Sequence, residues 1–79
     1  MNPALTELRK ELASKGYRRG TYSVGKTPIG EGHCILQEGN IYLVFYYERG
    51  NRYELHSHVD VNDAIYQFRE RLQNDLFTK

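Results

Sequence analysis

The sequence predicts an α+β domain with an N-terminal helix, a four-stranded antiparallel meander sheet and a C-terminal helix. Apolar residues recur at helical spacing near both ends of the chain, whereas the segments between them alternate as strands do. Residues 41–47 are all apolar or aromatic, which indicates a strand at the centre of the sheet. A chain of 79 residues has the length of a single domain, 1–79.

The first helix is predicted over residues 3–15. Asn2 is suited to cap this helix, and Pro3 is suited to its first position, where the missing N–H costs no hydrogen bond. Gly16 provides a stop signal after the last turn. The apolar stripe of the helix consists of Leu5, Leu8 and Leu12.

The remaining strands are predicted at residues 20–25, 33–37 and 52–56. Three glycines and a proline make the segment 25–32 a loop. A polar turn at residues 48–51 joins the third and fourth strands into a hairpin. A type I turn with a left-handed glycine there predicts two neighbouring pairs, Tyr47 with Tyr53 and Phe45 with Leu55.

The second helix is predicted to begin after Asp60, which is suited to the N-cap position. Asp63 follows three residues later, in an arrangement that resembles a capping box. An amphipathic pattern continues almost to the end of the chain. The predicted buried stripe consists of Val61, Ile65, Phe68, Leu72 and Leu76.

Both helices are predicted to cover the same face of the sheet, which leaves the opposite face open to solvent or to a partner. Alternation along the strands assigns side chains to the two faces. The covered face is predicted to hold Cys34, Leu36, Ile41, Leu43, Phe45, Tyr53 and Leu55. The open face is predicted to hold His33, Ile35, Tyr42, Val44, Tyr46, Arg52, Glu54 and His56.

Residues 20–27 match the pattern G-x-x-x-x-G-K-[ST] of phosphate-binding loops. Such a loop must follow a buried strand and open a helix whose N-terminus faces the phosphates. Tyr22 and Val24 instead have the alternation of strand residues, and Pro28 with its neighbouring glycines excludes an immediate helix. We therefore interpret the match as accidental.

Three histidines, His33, His56 and His58, are candidates for a metal site or a general base. No second close pair of ligands accompanies them, so they are interpreted as surface or interface residues. Cys34 is interpreted as a small core residue, since a single cysteine cannot form an internal disulfide. No arrangement of nucleophile and base stands out. The sequence predicts no catalytic residue, no metal and no cofactor.

The net charge of +1 conceals an asymmetry along the chain. Residues 1–26 carry six bases and two acids, whereas residues 27–79 carry five bases and eight acids. Neither imbalance is large enough to indicate a nucleic-acid partner. No apolar run approaches the ~20 residues of a membrane span, and the N-terminus lacks the regions of a signal peptide. We expect a cytoplasmic protein without a membrane partner.

Two short motifs resemble those of a known protein family. Residues 46–53, Y-Y-E-R-G-N-R-Y, are similar to a tyrosine-rich hairpin of the YY-x-E-R-G type but lack the residue between tyrosine and glutamate, and Asn62-Asp63-Ala64 opens the closing helix. Together with the upstream glycines and tyrosines, they resemble small bacterial immunity proteins of polymorphic-toxin and contact-dependent inhibition systems, over roughly residues 8–74. The resemblance implies a cytoplasmic inhibitor that binds one cognate toxin domain and needs no cofactor. Inhibitors of nuclease toxins are often strongly acidic, so this near-neutral chain leaves open whether the toxin is a nuclease.

We therefore predict a non-enzymatic immunity protein, monomeric or weakly dimeric, that neutralises a toxin domain without contacting nucleic acid. The alternatives are a nucleic-acid-binding module using the basic first helix with Arg18 and Arg19, a small enzyme or nucleotide binder using Gly25-Lys26-Thr27, and a homo-oligomeric interaction domain. The predicted partner-binding residues, on the open face and the hairpin tip, are His33, Tyr42, Tyr46, Glu48, Arg49, Arg52, Glu54 and His56.

Overall fold

The computed structural model of the protein describes residues 2–18, 20–75 and 78. Its two helices and one four-stranded sheet confirm the predicted α+β class. Arg19 and Leu76, which were assigned to the basic segment and to the second helical stripe, lie outside the described residues. No helix in the described part is both long and apolar enough to cross a membrane. The elements in chain order are α1 (Pro3–Ser14), β1 (Tyr22–Val24), β2 (Gly32–Glu38), β3 (Ile41–Glu48), β4 (Asn51–His58) and α2 (Val61–Asn74).

Both predicted N-caps are present. The Oδ1 atom of Asn2 accepts a hydrogen bond from the Ala4 backbone N–H at 2.8 Å. The Oδ1 atom of Asp60 accepts one from the Asn62 N–H at 2.7 Å. Each cap satisfies a backbone donor that has no partner within its helix. Beyond the end of α1, Gly16 has a φ of 80°, the left-handed conformation expected of a C-terminal glycine.

The sheet has the order β1-β2-β3-β4, but β1 runs parallel to β2. The prediction of an all-antiparallel meander is therefore wrong at this edge, while the β2–β3 and β3–β4 pairs are antiparallel as predicted. Since β1 has only three residues, it spans about 10 Å. The segment 25–31 is long enough to return over that distance to the start of β2 without a helical crossover.

Gly32 determines how closely β1 and β2 approach. The carbonyl oxygen of Thr21 accepts a hydrogen bond from the His33 backbone N–H at 3.0 Å. A Cβ atom at position 32 would lie 2.7 Å from the same oxygen, which is closer than side-chain contacts allow. Only glycine fits here, so this glycine provides a close backbone approach as well as a loop end.

The main hydrophobic core contains buried side chains from both helices and from three strands. The described residues of both predicted helical stripes are buried in this core, except that Val61 is only partly buried. Burial of this apolar surface is the principal stabilising contribution to the fold. The cluster consists of Leu5, Leu8, Leu12, Val24, Ile35, Val44, Ala64, Ile65, Phe68 and Leu72.

A second, smaller cluster contains the side chains of β2 and β3 that alternate with those of the main core and so point to the other face of the sheet. Tyr47 packs against this cluster. The predicted identity of the two faces is wrong, because Ile35 and Val44, which were assigned to the open face, are buried with the helix side chains. Alternation identifies which residues share a face, but apolar residues occupy both faces here. The second cluster consists of Cys34, Leu36, Leu43 and Phe45.

A bidentate ion pair joins the two helices. Arg69 Nη2 donates to Glu11 Oε1 at 2.6 Å, and Arg69 Nε donates to Glu11 Oε2 at 3.0 Å. Lys15 also donates to Glu11 Oε2, at 3.3 Å. The hydrogen bond from Arg69 lowers the pKa of Glu11 by more than burial raises it, and the hydrogen bond from Lys15 lowers it further.

This ion pair predicts an acid-sensitive contribution to stability. Because the pKa of Glu11 is lower in the folded chain than in the unfolded chain, its stabilisation is present above the unfolded pKa of about 4.3 and is lost as the pH falls through the folded pKa. The Tm of the wild-type protein should fall between about pH 5 and pH 3, and we expect the Tm of Arg69→Met to fall by less over the same range. An unchanged pH dependence in Arg69→Met would show that Glu11 does not contribute.

Candidate interaction surface

The eight predicted contact residues fall into two groups. Three of them, His33, Tyr42 and Tyr46, share the sheet face of Ile35 and Val44 and are partly buried. The prediction that these three belong to an open face is therefore wrong. The other five lie on the β3–β4 hairpin, at or near its tip and along β4: Glu48, Arg49, Arg52, Glu54 and His56.

Tyr42 supports the start of α1. Its hydroxyl oxygen accepts a hydrogen bond from Asn2 Nδ2 at 2.8 Å, and its ring packs against the main core. Asn2 is also the N-cap of α1, so one side chain connects the helix terminus to β3. This position gives Tyr42 a structural role.

His33 and Tyr46 connect the sheet to the end of α2. His33 Nε2 lies 2.9 Å from Asp75 Oδ2, and the rings of His33 and Tyr46 form an edge-to-face pair with centroids 5.1 Å apart. Burial raises the pKa of Tyr46, and the carboxylates of Glu31, Glu48 and Asp75 raise it further. Both side chains therefore hold elements of the fold together.

β4 is an edge of the sheet, since among the described strands it pairs with β3 alone. Seven of its eight residues are exposed. They include Tyr53 and Leu55, which are 45% and 43% exposed although they were predicted to be covered. Exposed tyrosine next to arginine is typical of the centres of protein interfaces. We call this region the β4 surface; it consists of Glu48, Arg49, Arg52, Tyr53, Glu54, Leu55 and His56.

The turn between β3 and β4 has two residues, Arg49 and Gly50. Both have positive φ, at 51° and 79°, as a type I′ turn requires. The predicted type I turn is therefore wrong, and Tyr46 rather than Tyr47 pairs with Tyr53. The tighter turn shifts the first half of β4 by one position, which moves Tyr53 and Arg52 to the opposite faces from those predicted.

A β-bulge at Glu54 restores the predicted register in the second half of β4. Glu54 has a φ of 51°, and beyond it Val44 pairs with His56. Arg71 Nη2 donates to the Glu54 carbonyl oxygen at 2.5 Å, and burial lowers the pKa of Arg71. A bulge interrupts the row of backbone groups that an added strand would need. The edge at β4 therefore offers mainly side chains rather than a continuous row of backbone groups.

Arg52 lies over the second cluster. Its guanidinium carbon is 4.8 Å from the centre of the Phe45 ring, and its Nη2 donates to Glu38 Oε2 at 2.8 Å. That hydrogen bond lowers the pKa of Glu38 and raises the pKa of Arg52. Arg52 is thus held in one position while remaining partly accessible on the β4 surface.

Cys34 is a core residue in the second cluster. Burial raises the pKa of its thiol to about 12, so the reactive thiolate is scarce at neutral pH. Its Sγ–H group donates to the Lys26 carbonyl oxygen at 3.3 Å. These properties agree with the interpretation of Cys34 as a small packed side chain.

The three histidines do not come together. His58 Nε2 lies 2.6 Å from Gln67 Oε1, and Gln67 Nε2 donates to His56 Nδ1, so one amide of α2 links both histidines of β4. His33 instead contacts Asp75. Within the described part of the chain, no group of three histidine, cysteine, aspartate or glutamate side chains is arranged to hold a metal ion.

Comparison of the chain with protein-family models, with curated proteins and with solved structures gave no match. Functional inference therefore depends on the geometry of the β4 surface and on the short motifs of the hairpin. Sequence reasoning placed five of the seven β4-surface residues at the site but missed Tyr53 and Leu55. Leu55 was missed because the wrong sheet face was taken to be covered, and Tyr53 was missed because the two-residue turn changed the register of the first half of β4.

Proposed function

We propose that the protein is a stoichiometric protein-binding domain and that the β4 surface is its docking site. The observation that carries the proposal is the exposure of seven of the eight residues of an edge strand, with Tyr53 and Leu55 at its centre. Tyr53 offers apolar contact area on the Tyr46 side of this edge strand and Leu55 on the Phe45 side, where Arg52 offers a polar contact; Arg49 adds a polar group at the turn. Side-chain docking fits this surface better than strand addition, because the bulge at Glu54 interrupts the strand edge.

For the partner, we propose a bacterial toxin domain that this protein neutralises in the cytoplasm. The support comes from the resemblance of the hairpin and of the α2 start to immunity proteins. The β4 surface mixes arginines with glutamates, so it is suited to a mixed-charge protein surface rather than to a phosphate backbone. Neutralisation would follow from occupying the toxin, with the β4 residues supplying contact and no chemistry.

The direct test is calorimetry between the purified protein and the toxin domain encoded immediately upstream of its gene. We expect one-to-one binding with a nanomolar Kd. No heat at micromolar concentrations, with the protein shown to be folded, would contradict toxin binding.

Substitutions in the complex then locate the interface. We expect Tyr53→Ala and Leu55→Ala each to weaken binding at least about tenfold, because a central interface residue contributes more than about 1 kcal/mol. Tyr66→Ala is the matched control, since Tyr66 is 66% exposed on α2 and outside the β4 surface. Full affinity in both β4 variants would exclude the β4 surface while leaving toxin binding established.

A further inference from the structure

A second surface feature, separate from β4, lies between α1 and the loop around β1. Two cavities of about 550 and about 200 Å³ share Tyr22, Ser23, Lys26 and Ile29, and so form the two ends of one groove. Arg9 lines its larger end on the helix side. We call this the α1–loop groove. Its volume falls in the range of small-molecule sites, which is about 300–1,000 Å³.

The lining of the α1–loop groove is basic. It includes Arg9 and Lys26 but no acidic side chain among the described residues, although the chain has 10 acidic residues. Lys26 makes no ion pair with a carboxylate in the described part of the chain. Its ammonium group is therefore available to an anion, and phosphate is the anion that lysine commonly binds in proteins.

The backbone of Lys26 is held in place although its side chain is exposed. Its carbonyl oxygen accepts hydrogen bonds from Ser23 Oγ at 2.5 Å and from Cys34 Sγ at 3.3 Å. The preceding Gly25 has a φ of 88° and donates its N–H to the Ile35 carbonyl oxygen at 2.7 Å. A fixed backbone reduces the entropy that is lost when the side chain binds a ligand.

Ile29 gives the α1–loop groove an apolar side. Its side chain is completely exposed at 102% of the reference area, which is unusual for a large aliphatic residue. It lines both cavities together with the half-buried ring of Tyr22. A ligand that combines a phosphate with a flat apolar ring would use the charged side and this apolar side together.

We propose that the α1–loop groove binds a nucleoside phosphate, with Lys26 at the phosphate and Ile29 against the base. This site is not the phosphate-binding loop that residues 20–27 match by letter, because β1 occupies the middle of that motif and no helix follows it. The phosphate contact comes instead from the side chain of Lys26, in the loop that follows β1. The proposal involves no bond-making step and does not depend on the β4 surface.

The test is titration of the intact protein with adenosine monophosphate, inorganic phosphate and adenosine, followed by amide NMR shifts. We expect adenosine monophosphate to shift resonances of residues 25–29 and to bind more tightly than either fragment. Lys26→Ala should weaken its binding about tenfold or more, as loss of a charged hydrogen bond does. Ile29→Ala should weaken binding of adenosine monophosphate but leave that of inorganic phosphate unchanged.

Lys10→Ala is the matched control, because Lys10 pairs with Glu7 on the exposed side of α1 and does not line the groove. An equal loss of affinity in Lys10→Ala and Lys26→Ala would overturn the proposal in favour of general charge attraction. Absence of shifts at about 10 mM adenosine monophosphate, a concentration that detects even millimolar binding, would also overturn it. Much tighter, strongly salt-dependent binding of single-stranded oligothymidine would assign the groove to nucleic acid instead.

Discussion

Phe68→Ala is expected to lower the free energy of unfolding by about 3–5 kcal/mol. Phe68 is fully buried at the centre of α2, in the cluster that contains side chains of both helices and three strands. Truncation removes apolar surface and leaves a cavity that the surrounding helices and strands cannot fill without moving. A domain of 79 residues has little stability in excess of that loss. Much of the variant should therefore be unfolded at 37 °C.

Urea unfolding followed by circular dichroism measures this change, and Tyr66→Ala provides the control. Tyr66 lies two positions earlier on the same helix and is 66% exposed, so its truncation creates no cavity. We expect its free energy of unfolding to stay within about 0.5 kcal/mol of wild type. A similar loss in both variants would contradict a special contribution from the packing of Phe68, since alanine has the highest helix propensity and neither substitution weakens the helix on that account.

The helices were predictable because their signals are local. The Leu5, Leu8 and Leu12 stripe, and the cap residues Asn2 and Asp60, act within a few positions of one another. Each signal depends on the geometry of one helix and on no distant contact. The observed bounds of α1 and the observed start of α2 therefore agree with the predicted ones to within one residue.

The choice of sheet face was not predictable, because it depends on a long-range competition between two apolar surfaces. Along β2 and β3, Ile35 and Val44 face one side, and Leu36 and Phe45 face the other. Alternation shows which of these residues share a face, but it does not show which of the two faces packs against the helices. The wrong choice made His33, Tyr42 and Tyr46 look available to a partner, when their contacts are within the fold.

The details of β4 were hidden for a different reason. Arg49 and Glu54 are both in the left-handed conformation, which is uncommon for residues other than glycine, asparagine and aspartate. The tight turn requires it at Arg49, and the bulge places Glu54 in it. The two-residue turn shifts the beginning of β4 out of the predicted register, and the bulge at Glu54 shifts the end of the strand back into it.

Phe45→Ala is expected to cost about 3–5 kcal/mol, with effects concentrated in the second cluster. Phe45 is fully buried there beside Cys34, and Arg52 lies over its ring. Truncation opens a path to the Cys34 thiol, which is protected by burial in the native protein. We therefore expect Cys34 to react faster with a thiol reagent in Phe45→Ala under native conditions, in addition to the loss of stability in urea.

A double-mutant cycle separates the two contributions at this position. Arg52→Ala removes the cation–π contact and the hydrogen bond to Glu38 but leaves the Phe45 ring in place. We expect a coupling energy between Phe45 and Arg52 of about 0.5–1 kcal/mol, as measured for partly exposed cation–π pairs. If the two losses simply add, the contact between Arg52 and the Phe45 ring does not stabilise the sheet, and the position of Arg52 above Phe45 would serve the β4 surface instead.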